Sequence, residues 1–264
     1  MKEYDKYLKL LKEKYPTKQS VYRELINLNA IMNLPKGTEH FMSDLHGEYD
    51  AFYHIINNCS GVIREKVAML YGDELTVYEQ QELCTLIYYP REKLSILMDE
   101  NKVNDEWYRN VLNQLIQIAK LLSSKYTRSK VRKAMPVDFA YIIDELIHAQ
   151  KDEDDNRSVY HRQIMETILS LHNGDEFLVA LTDLIKRLAV DHLHILGDIY
   201  DRGAHADKIL DLLMEHHSVD IQWGNHDILW MGAFCGNPVC MALVVRNNIK
   251  YKTCLLYTSP SPRD

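Results

Sequence analysis

The fold that we predict for this chain depends on one stretch, Leu193-His-Ile-Leu196-Gly197-Asp198-Ile-Tyr-Asp201-Arg202-Gly203. Its short apolar run, bounded by Gly197, is typical of a buried strand. A strand that ends in Gly-Asp places a carboxylate at the carboxyl edge of a sheet, where open α/β sheets tend to bind ligands. A second carboxylate, Asp201, and the guanidinium of Arg202 follow closely. The stretch therefore predicts a ligand site at the end of a strand.

Two further stretches have the same form, an apolar run followed by polar side chains. They are Phe41-Met-Ser-Asp44-Leu-His46-Gly47 and Ile221-Gln-Trp-Gly224-Asn225-His226-Asp227. Three strand ends that each supply metal-ligating side chains indicate one shared site. Asp227 has two interpretations that the sequence leaves equally open: a cap on a helix that begins at Ile228, or a residue of the site.

The apolar pattern predicts an α/β protein with strands at Glu39–Ser43, Leu193–Leu196 and Val219–Trp223. Residues 61–188 read as almost wholly helical and are interpreted as an inserted helical cap. The predicted division is an N-terminal helical arm, a first strand–helix unit, the helical insertion, a continuation of the α/β domain and a tail: residues 1–38, 39–60, 61–188, 189–253 and 254–264.

The tail, Cys254-Leu-Leu-Tyr-Thr-Ser-Pro-Ser-Pro-Arg-Asp264, breaks with the pattern of the rest of the chain. We interpret it as a non-native, adapter-derived string, and we expect the natural protein to continue beyond about Thr253. The alternative is a genuine disordered tail.

Composition narrows the classes of function. A net charge of −7 argues against a general nucleic-acid binder. The N-terminus has no apolar core of the signal-peptide type, and no window approaches the ~18 apolar residues of a membrane span. The five cysteines include no Cys-x-x-Cys pair, which suits reduced thiols. We therefore expect a cytoplasmic protein with no nucleic-acid or membrane partner.

The polar residues after the strands predict a dinuclear metal site. Asp44 and His46, two apart on an extended strand end, are expected to point the same way and bind one ion. Asp198 can bridge two ions, and Asn225 offers a neutral oxygen to the second. Such mixed ligands suit Mn²⁺, Fe or Zn. Two ions about 3.5–4 Å apart are a recurrent arrangement for hydrolysing phosphate esters.

The remaining side chains predict the rest of a phosphoesterase site. Arg202 supplies a planar fork that matches two phosphate oxygens. His226 is placed to protonate the leaving alkoxide, and Asp201 could orient its ring. Taken singly, Arg202 would more often be a surface ion-pair partner and His226 a loop histidine. The ordered combination of three motifs favours the dinuclear phosphoesterase.

The three motifs resemble those of the calcineurin-like metallophosphoesterases, a superfamily with a four-layer sandwich fold. The resemblance implies that this chain forms part of such a sandwich, with mixed strands. It implies that Asp44 and His46 bind the first metal, that Asp198 bridges and that Asn225 binds the second. It also makes His226 the catalytic acid, Asp201 its partner and Arg202 a phosphate clamp.

A narrower resemblance covers nearly all of residues 1–252. The strings around Asp44, the Tyr88-Tyr-Pro segment, residues 123–134 and Asp138-Phe-Ala-Tyr-Ile-Ile are similar to those of the class 3 fructose-1,6-bisphosphatases of Firmicutes. That family also has a long helical insertion between its first two motifs. The resemblance implies hydrolysis of the 1-phosphate of fructose 1,6-bisphosphate in gluconeogenesis, with manganese as the favoured metal.

One departure from the family affects the expected activity. The family supplies further histidine ligands beyond the Gly-Asn-His-Asp motif, whereas no histidine follows His226 here. We therefore expect the chain as written to be an inactive fragment of an enzyme. The alternatives are a protein or dinucleotide polyphosphate phosphatase of the same superfamily, or a non-catalytic module whose helices bind a partner. A homo-oligomer is left open.

A basic cluster in the helical segment also has two interpretations. It could bind the distal phosphate of the substrate or an anionic effector, or it could be one solvated helix face, which the sequence favours. Its members are Lys125, Arg128, Lys130, Arg132 and Lys133.

Overall fold

The computed structural model describes residues 2–149 and 155–252 and contains a small parallel sheet and many helices. The strands are β1 (Glu39–Met42), β2 (His192–Ile195) and β3 (Val219–Ile221), and β2 lies between the other two. All three predicted strands are present, although each ends one or two residues earlier than the sequence pattern predicts. The described strands pair only in parallel, so the expected mixture of directions is not found among them.

One face of the sheet packs against helices and forms a small apolar core. Leu193 and Ile195 of β2 are fully buried there, because side chains two apart on a strand share a face. Phe52, Ile209 and Leu213 cover them from two helices. The helices outside the helical block are α1 (Lys2–Lys14), α2 (Lys18–Ile31), α3 (Tyr49–Asn58), α12 (Ala206–Glu215), α13 (Asn225–Phe234) and α14 (Pro238–Tyr251).

A second, larger apolar core lies entirely within the helices between β1 and β2. Helices α7 (Asp105–Ser123) and α11 (Gly174–Ala189) form its centre, where Leu115, Leu181 and Leu184 are fully buried. Complete burial of each such leucine contributes about 1.5–3 kcal/mol. The helices of this block are α4 (Val62–Tyr71), α5 (Val77–Tyr88), α6 (Pro90–Asp99), α7 (Asp105–Ser123), α8 (Arg128–Ala134), α9 (Ala140–Ile147), α10 (Asp155–Ser170) and α11 (Gly174–Ala189).

The predicted helical character of residues 61–188 therefore agrees with the structure wherever that segment is described. That these helices are a domain inserted into a metallophosphatase sandwich stays a prediction. The proposed tail, residues 254–264, lies outside the described residues. Among the described helices, none combines the length and the apolar character that a membrane span requires.

Candidate metal centre

Three loops meet at the carboxyl edge of the sheet. The first loop, residues 43–48, follows β1; the second, residues 196–205, follows β2; the third, residues 222–224, follows β3. Parallel strands end at the same edge, and this brings their loops together.

Backbone hydrogen bonds join the first two loops closely. The N–H of His46 donates to the carbonyl of Asp198 (2.8 Å), and the N–H of Gly47 donates to that of Ile199 (2.8 Å). In return, the N–H of Gly203 donates to the carbonyl of His46 (2.6 Å). Gly47 and Gly203 approach so closely that a methyl group on either would overlap the other's backbone. The position of the first loop is therefore fixed by the second.

Both loops hold non-glycine residues in the left-handed region of φ, where most side chains are strained. A residue held in this region costs on the order of 1–3 kcal/mol and persists only where its surroundings impose it. The residues are Asp44 (φ 55°), His46 (φ 45°), Asp198 (φ 54°), Asp201 (φ 64°) and Arg202 (φ 80°). Every one of them is a residue that the sequence selects for the site.

Asp44, His46 and Asp198 form a cluster in which potential ligand atoms lie within 4.8 Å of one another. The Nδ1–H of the buried His46 ring donates to the carbonyl of Tyr200 (3.1 Å), which leaves the lone pair on Nε2. Nε2 is itself buried, has no hydrogen-bond partner and lies 3.5 Å from Oδ1 of Asp44. A ring fixed through one nitrogen, with the other facing carboxylates, is typical of a metal-binding histidine. These residues fit a divalent metal ion.

The pairing of Asp44 with His46 does not arise from the extended strand that the sequence predicts. We expected both side chains to lie on an extended strand end, yet β1 ends at Met42. The two residues come together because each takes a left-handed backbone conformation in a tight turn. The turn, and not strand alternation, directs both side chains towards Asp198.

The third loop contacts the same aspartate. The N–H of His226 donates to Oδ1 of Asp198 (3.1 Å). A methyl group on Gly224 would overlap that carboxylate, so glycine permits the close approach. Asn225 lies between these two residues at the first position of α13, and its side chain is exposed. The backbone thus places Asn225 beside Asp198, where the predicted second ion would bind.

His226 and Asp201 form the pair that the sequence predicts. Nδ1 of His226 lies 2.6 Å from Oδ2 of the buried Asp201. Asp201 also accepts hydrogen bonds from Nε1 of Trp230 (3.1 Å) and Nδ2 of Asn247 (2.9 Å). The His226 ring meets the ring of His46 edge to face, with centroids 5.4 Å apart. The pair therefore borders the candidate metal ligands.

Arg202 lies in the second loop, four residues after Asp198. Its side chain is exposed and forms no ion pair or hydrogen bond with the described residues. The surface ion pair that a lone arginine would suggest is thus not formed by the described part of the chain. The guanidinium is available to an anion from solution.

Asp227 makes more contacts within the site than the sequence indicates. Its carboxylate is buried and accepts four backbone N–H groups, from Asp198 (2.8 Å), Ile199 (2.9 Å), Tyr200 (3.2 Å) and Gly224 (2.8 Å). The first three belong to the second loop and the fourth to the third. Helix α13 begins at Asn225, three residues earlier than predicted, and Asp227 caps it from its first turn by accepting the N–H of Gly224. Asp227 thus caps the helix and also joins two loops of the site.

Comparison with known proteins identifies the family of this chain. Residues 6–257 match the family described as Firmicute fructose-1,6-bisphosphatase. The chain belongs to this family. It is 54% identical over 261 residues to fructose-1,6-bisphosphatase class 3 1 of Clostridium beijerinckii, covering 95% of this chain and 39% of that protein.

Two further relatives of the Firmicute fructose-1,6-bisphosphatase family give the same result. The class 3 fructose-1,6-bisphosphatase of Listeria monocytogenes serotype 4b is 54% identical over 93% of this chain and 38% of its own length. The class 3 fructose-1,6-bisphosphatase of Clostridium botulinum is 51% identical over 93% of this chain and 37% of its own length. This chain thus spans about two fifths of these curated relatives. No solved structure matches it.

In this family member, sequence reasoning missed Trp230 and Asn247 as partners of Asp201. Trp230 follows His226 by four residues on α13, and this spacing places both on one helix face. That spacing was a usable signal. The sequence contains no such signal for Asn247, because this residue lies on α14 and reaches Asp201 only through the packing of α14 against α13.

The basic cluster of this family member is largely paired within the chain. Arg128 and Arg132 both approach the carboxylate of Asp144 (3.3 and 3.8 Å), and Lys130 pairs with Asp191 (2.5 Å). These internal partners favour a solvated helix face over a phosphate site.

Proposed function

We propose that the protein to which this chain belongs hydrolyses the 1-phosphate of fructose 1,6-bisphosphate at a dinuclear metal centre, in a calcineurin-like metallophosphatase fold. Membership of the Firmicute fructose-1,6-bisphosphatase family supports the substrate. The observation that carries the chemistry is the orphaned Nε2 of His46, which faces Asp44 and lies within the Asp198 cluster. A buried nitrogen without a partner is costly unless a ligand such as a metal ion occupies it.

Asp44, His46 and Asp198 would hold one ion, and Asp198 with Asn225 would contribute to a second. We propose Mn²⁺ as the favoured metal, because these oxygen and imidazole ligands suit it and include no thiolate. When bound, such a pair of ions supplies Lewis-acid polarisation of a phosphoryl oxygen and lowers the pKa of water. Among the described residues only Asp198 and Asn225 serve the second ion, which leaves it short of ligands.

The remaining residues would bind the substrate and move one proton. Arg202 would bind two phosphate oxygens with its planar fork. Asp201 accepts from Nδ1 of His226 and so directs Nε2 towards the site. A proton on Nε2 would pass to the leaving alkoxide, and the buried carboxylate of Asp201 would stabilise the charged ring.

The test uses a protein of the relatives' full length with Mn²⁺ and compares three substrates: fructose 1,6-bisphosphate, a phosphopeptide and a dinucleotide polyphosphate. We expect the sugar bisphosphate to have the highest kcat/KM. His226→Gln should lower kcat by about 10²–10⁴-fold while metal binding persists. His205→Gln, which changes an exposed histidine at the end of the second loop, is the matched control and should retain activity. Faster turnover of either other substrate, or full activity in His226→Gln, would refute the proposal.

The same proposal places the protein in the cytoplasm. The four described cysteines, Cys59, Cys84, Cys235 and Cys240, are free thiols. Free thiols suit a reducing compartment.

A further inference from the structure

The face of the sheet opposite the apolar core carries a second group of metal-ligating side chains. His192 and His194 lie two apart on β2, so their side chains share this face. The strand register places Asp220 of β3 directly beside His194. Potential ligand atoms of the three residues lie within 4.8 Å of one another. We call these three residues the sheet-face cluster.

The geometry of His192 is that of a metal ligand held by a second residue. Its Nδ1 lies 2.6 Å from Oγ of Ser218, so that Nδ1–H can donate to the hydroxyl and leave the lone pair on Nε2. Nε2 lies 3.3 Å from Oδ2 of Asp220. Two ligand atoms on a tetrahedral ion, each 2.0–2.1 Å from the metal, are about 3.3 Å apart. His192 and Asp220 therefore already have the separation that one shared ion requires.

His194 completes the cluster. Its Nδ1 lies 2.7 Å from Oδ1 of Asp220, which is a hydrogen bond and shorter than the spacing of two ligands. A shift of less than about 1 Å would convert this contact into shared ligation. Its Nε2 is buried and has no hydrogen-bond partner, and Oε2 of Glu39 lies 3.9 Å away. The carboxylate of Asp220 beside the two imidazoles supplies negative charge that a divalent cation neutralises, whereas the carboxylate of Glu39 pairs with Lys36 (3.0 Å).

The sheet-face cluster is separate from the candidate metal centre. His194 lies within β2, whereas Asp198 lies in the loop beyond the end of that strand, and the two groups of ligands share no residue. A simpler explanation is a pair of hydrogen-bonded histidines on an open sheet face. A divalent cation, by contrast, would attract the two ring nitrogens and the carboxylate oxygens that face one another across β2 and β3.

We propose that His192, His194 and Asp220 bind one divalent ion of the Zn²⁺ class, distinct from the dinuclear centre. Two imidazoles and one carboxylate suit Zn²⁺ or Co²⁺ and leave a fourth position for water. Because the ligands come from β2 and β3, the ion joins the two strands. Its role is to stabilise the sheet that carries the three loops.

The test removes the first site and measures metal at the second. The chain with Asp44→Asn and Asp198→Asn is freed of metal with a chelator and dialysed against Zn²⁺, and bound metal is counted. We expect one equivalent to remain, and to be lost on adding His194→Gln. A matched control, His148→Gln, removes a histidine at the end of α9 and should retain it. No bound equivalent in the parent, or its retention with His194→Gln, would overturn the proposal.

A milder variant covers the case in which His194→Gln does not fold. Ser218→Ala removes only the group that orients His192, so the far-UV circular dichroism should be unchanged. Loss of such an outer partner typically weakens metal binding by about 10–100-fold. Co²⁺ titration, followed by visible absorption, measures this difference in the same parent. If Ser218→Ala bound Co²⁺ as tightly as the parent, the assignment of His192 as a ligand would be contradicted.

Discussion

The carboxylate of Asp227 provides the sharpest test of how the loops are held together. Its two oxygens accept four backbone N–H groups from two loops, and its side chain is buried. Asp227→Asn preserves size and shape but replaces one acceptor oxygen with an NH₂ group. Two of the four N–H groups would then face a donor and lose their partner.

The expected loss of stability follows from those two bonds. A hydrogen bond to a charged group contributes about 1.5–3 kcal/mol, so losing two costs about 3–6 kcal/mol. The loss should also weaken metal binding, because Asp198 donates its backbone N–H to Asp227 and is itself a candidate ligand. We expect metal affinity to fall about 10–100-fold, as for other residues that support ligands.

Urea unfolding measures the first effect. In a Trp107→Phe background, the remaining tryptophans, Trp223 and Trp230, both lie near the sheet, so fluorescence reports on the region that Asp227 joins. Asp211→Asn, an exposed aspartate on α12, is the control and should change stability by less than about 0.5 kcal/mol. If Asp227→Asn were as stable as this control, the carboxylate would not hold the loops together.

Three further predictions concern a glycine, the cysteines and a histidine. Gly224→Ala should destabilise the chain by about 1–3 kcal/mol, measured by urea unfolding, because its methyl group would overlap Asp198. A thiol reagent at neutral pH should label the exposed Cys235 and spare Cys59, since burial raises the pKa of the Cys59 thiol to about 12. Burial lowers the pKa of His216, so the unfolded chain takes up its proton first as the pH falls below about 6.5. The free energy of unfolding should therefore decrease as the pH is lowered through that range. The decrease should be smaller in His216→Gln.

Each of these predictions has a result that contradicts it. Unchanged stability of Gly224→Ala would mean that the third loop does not approach Asp198 closely. Equal labelling rates for Cys59 and Cys235 would contradict the burial of Cys59. An identical pH dependence of unfolding with and without His216 would contradict the lowered pKa of its ring.

The general positions of the strands could be predicted from sequence. Short apolar runs that end in polar turns identify β1, β2 and β3 to within two residues, because strand burial depends mainly on local pattern. The convergence of the three loops could be predicted because each of the three strand ends carries metal-ligating side chains, which indicates one shared site. The Asp201–His226 pair followed from the chemistry of the motifs.

Other features could not be predicted, because they depend on tertiary contacts. The left-handed turn at Asp44 and His46 is imposed by backbone hydrogen bonds from a loop about 150 residues away. Asp227 bonds to backbone groups, and backbone groups carry no sequence signal. Asn247 reaches Asp201 only through the packing of two helices. Local pattern identifies the elements, whereas these contacts fix the site.

The central claim is that the three loops form one metal centre around His46. Anomalous diffraction from crystals of this chain grown with Mn²⁺ tests it most directly. We predict an anomalous peak within bonding distance of His46 Nε2 and of the carboxylates of Asp44 and Asp198. A structure in which Mn²⁺ binds elsewhere, while His46 Nε2 has no metal contact, would contradict the claim.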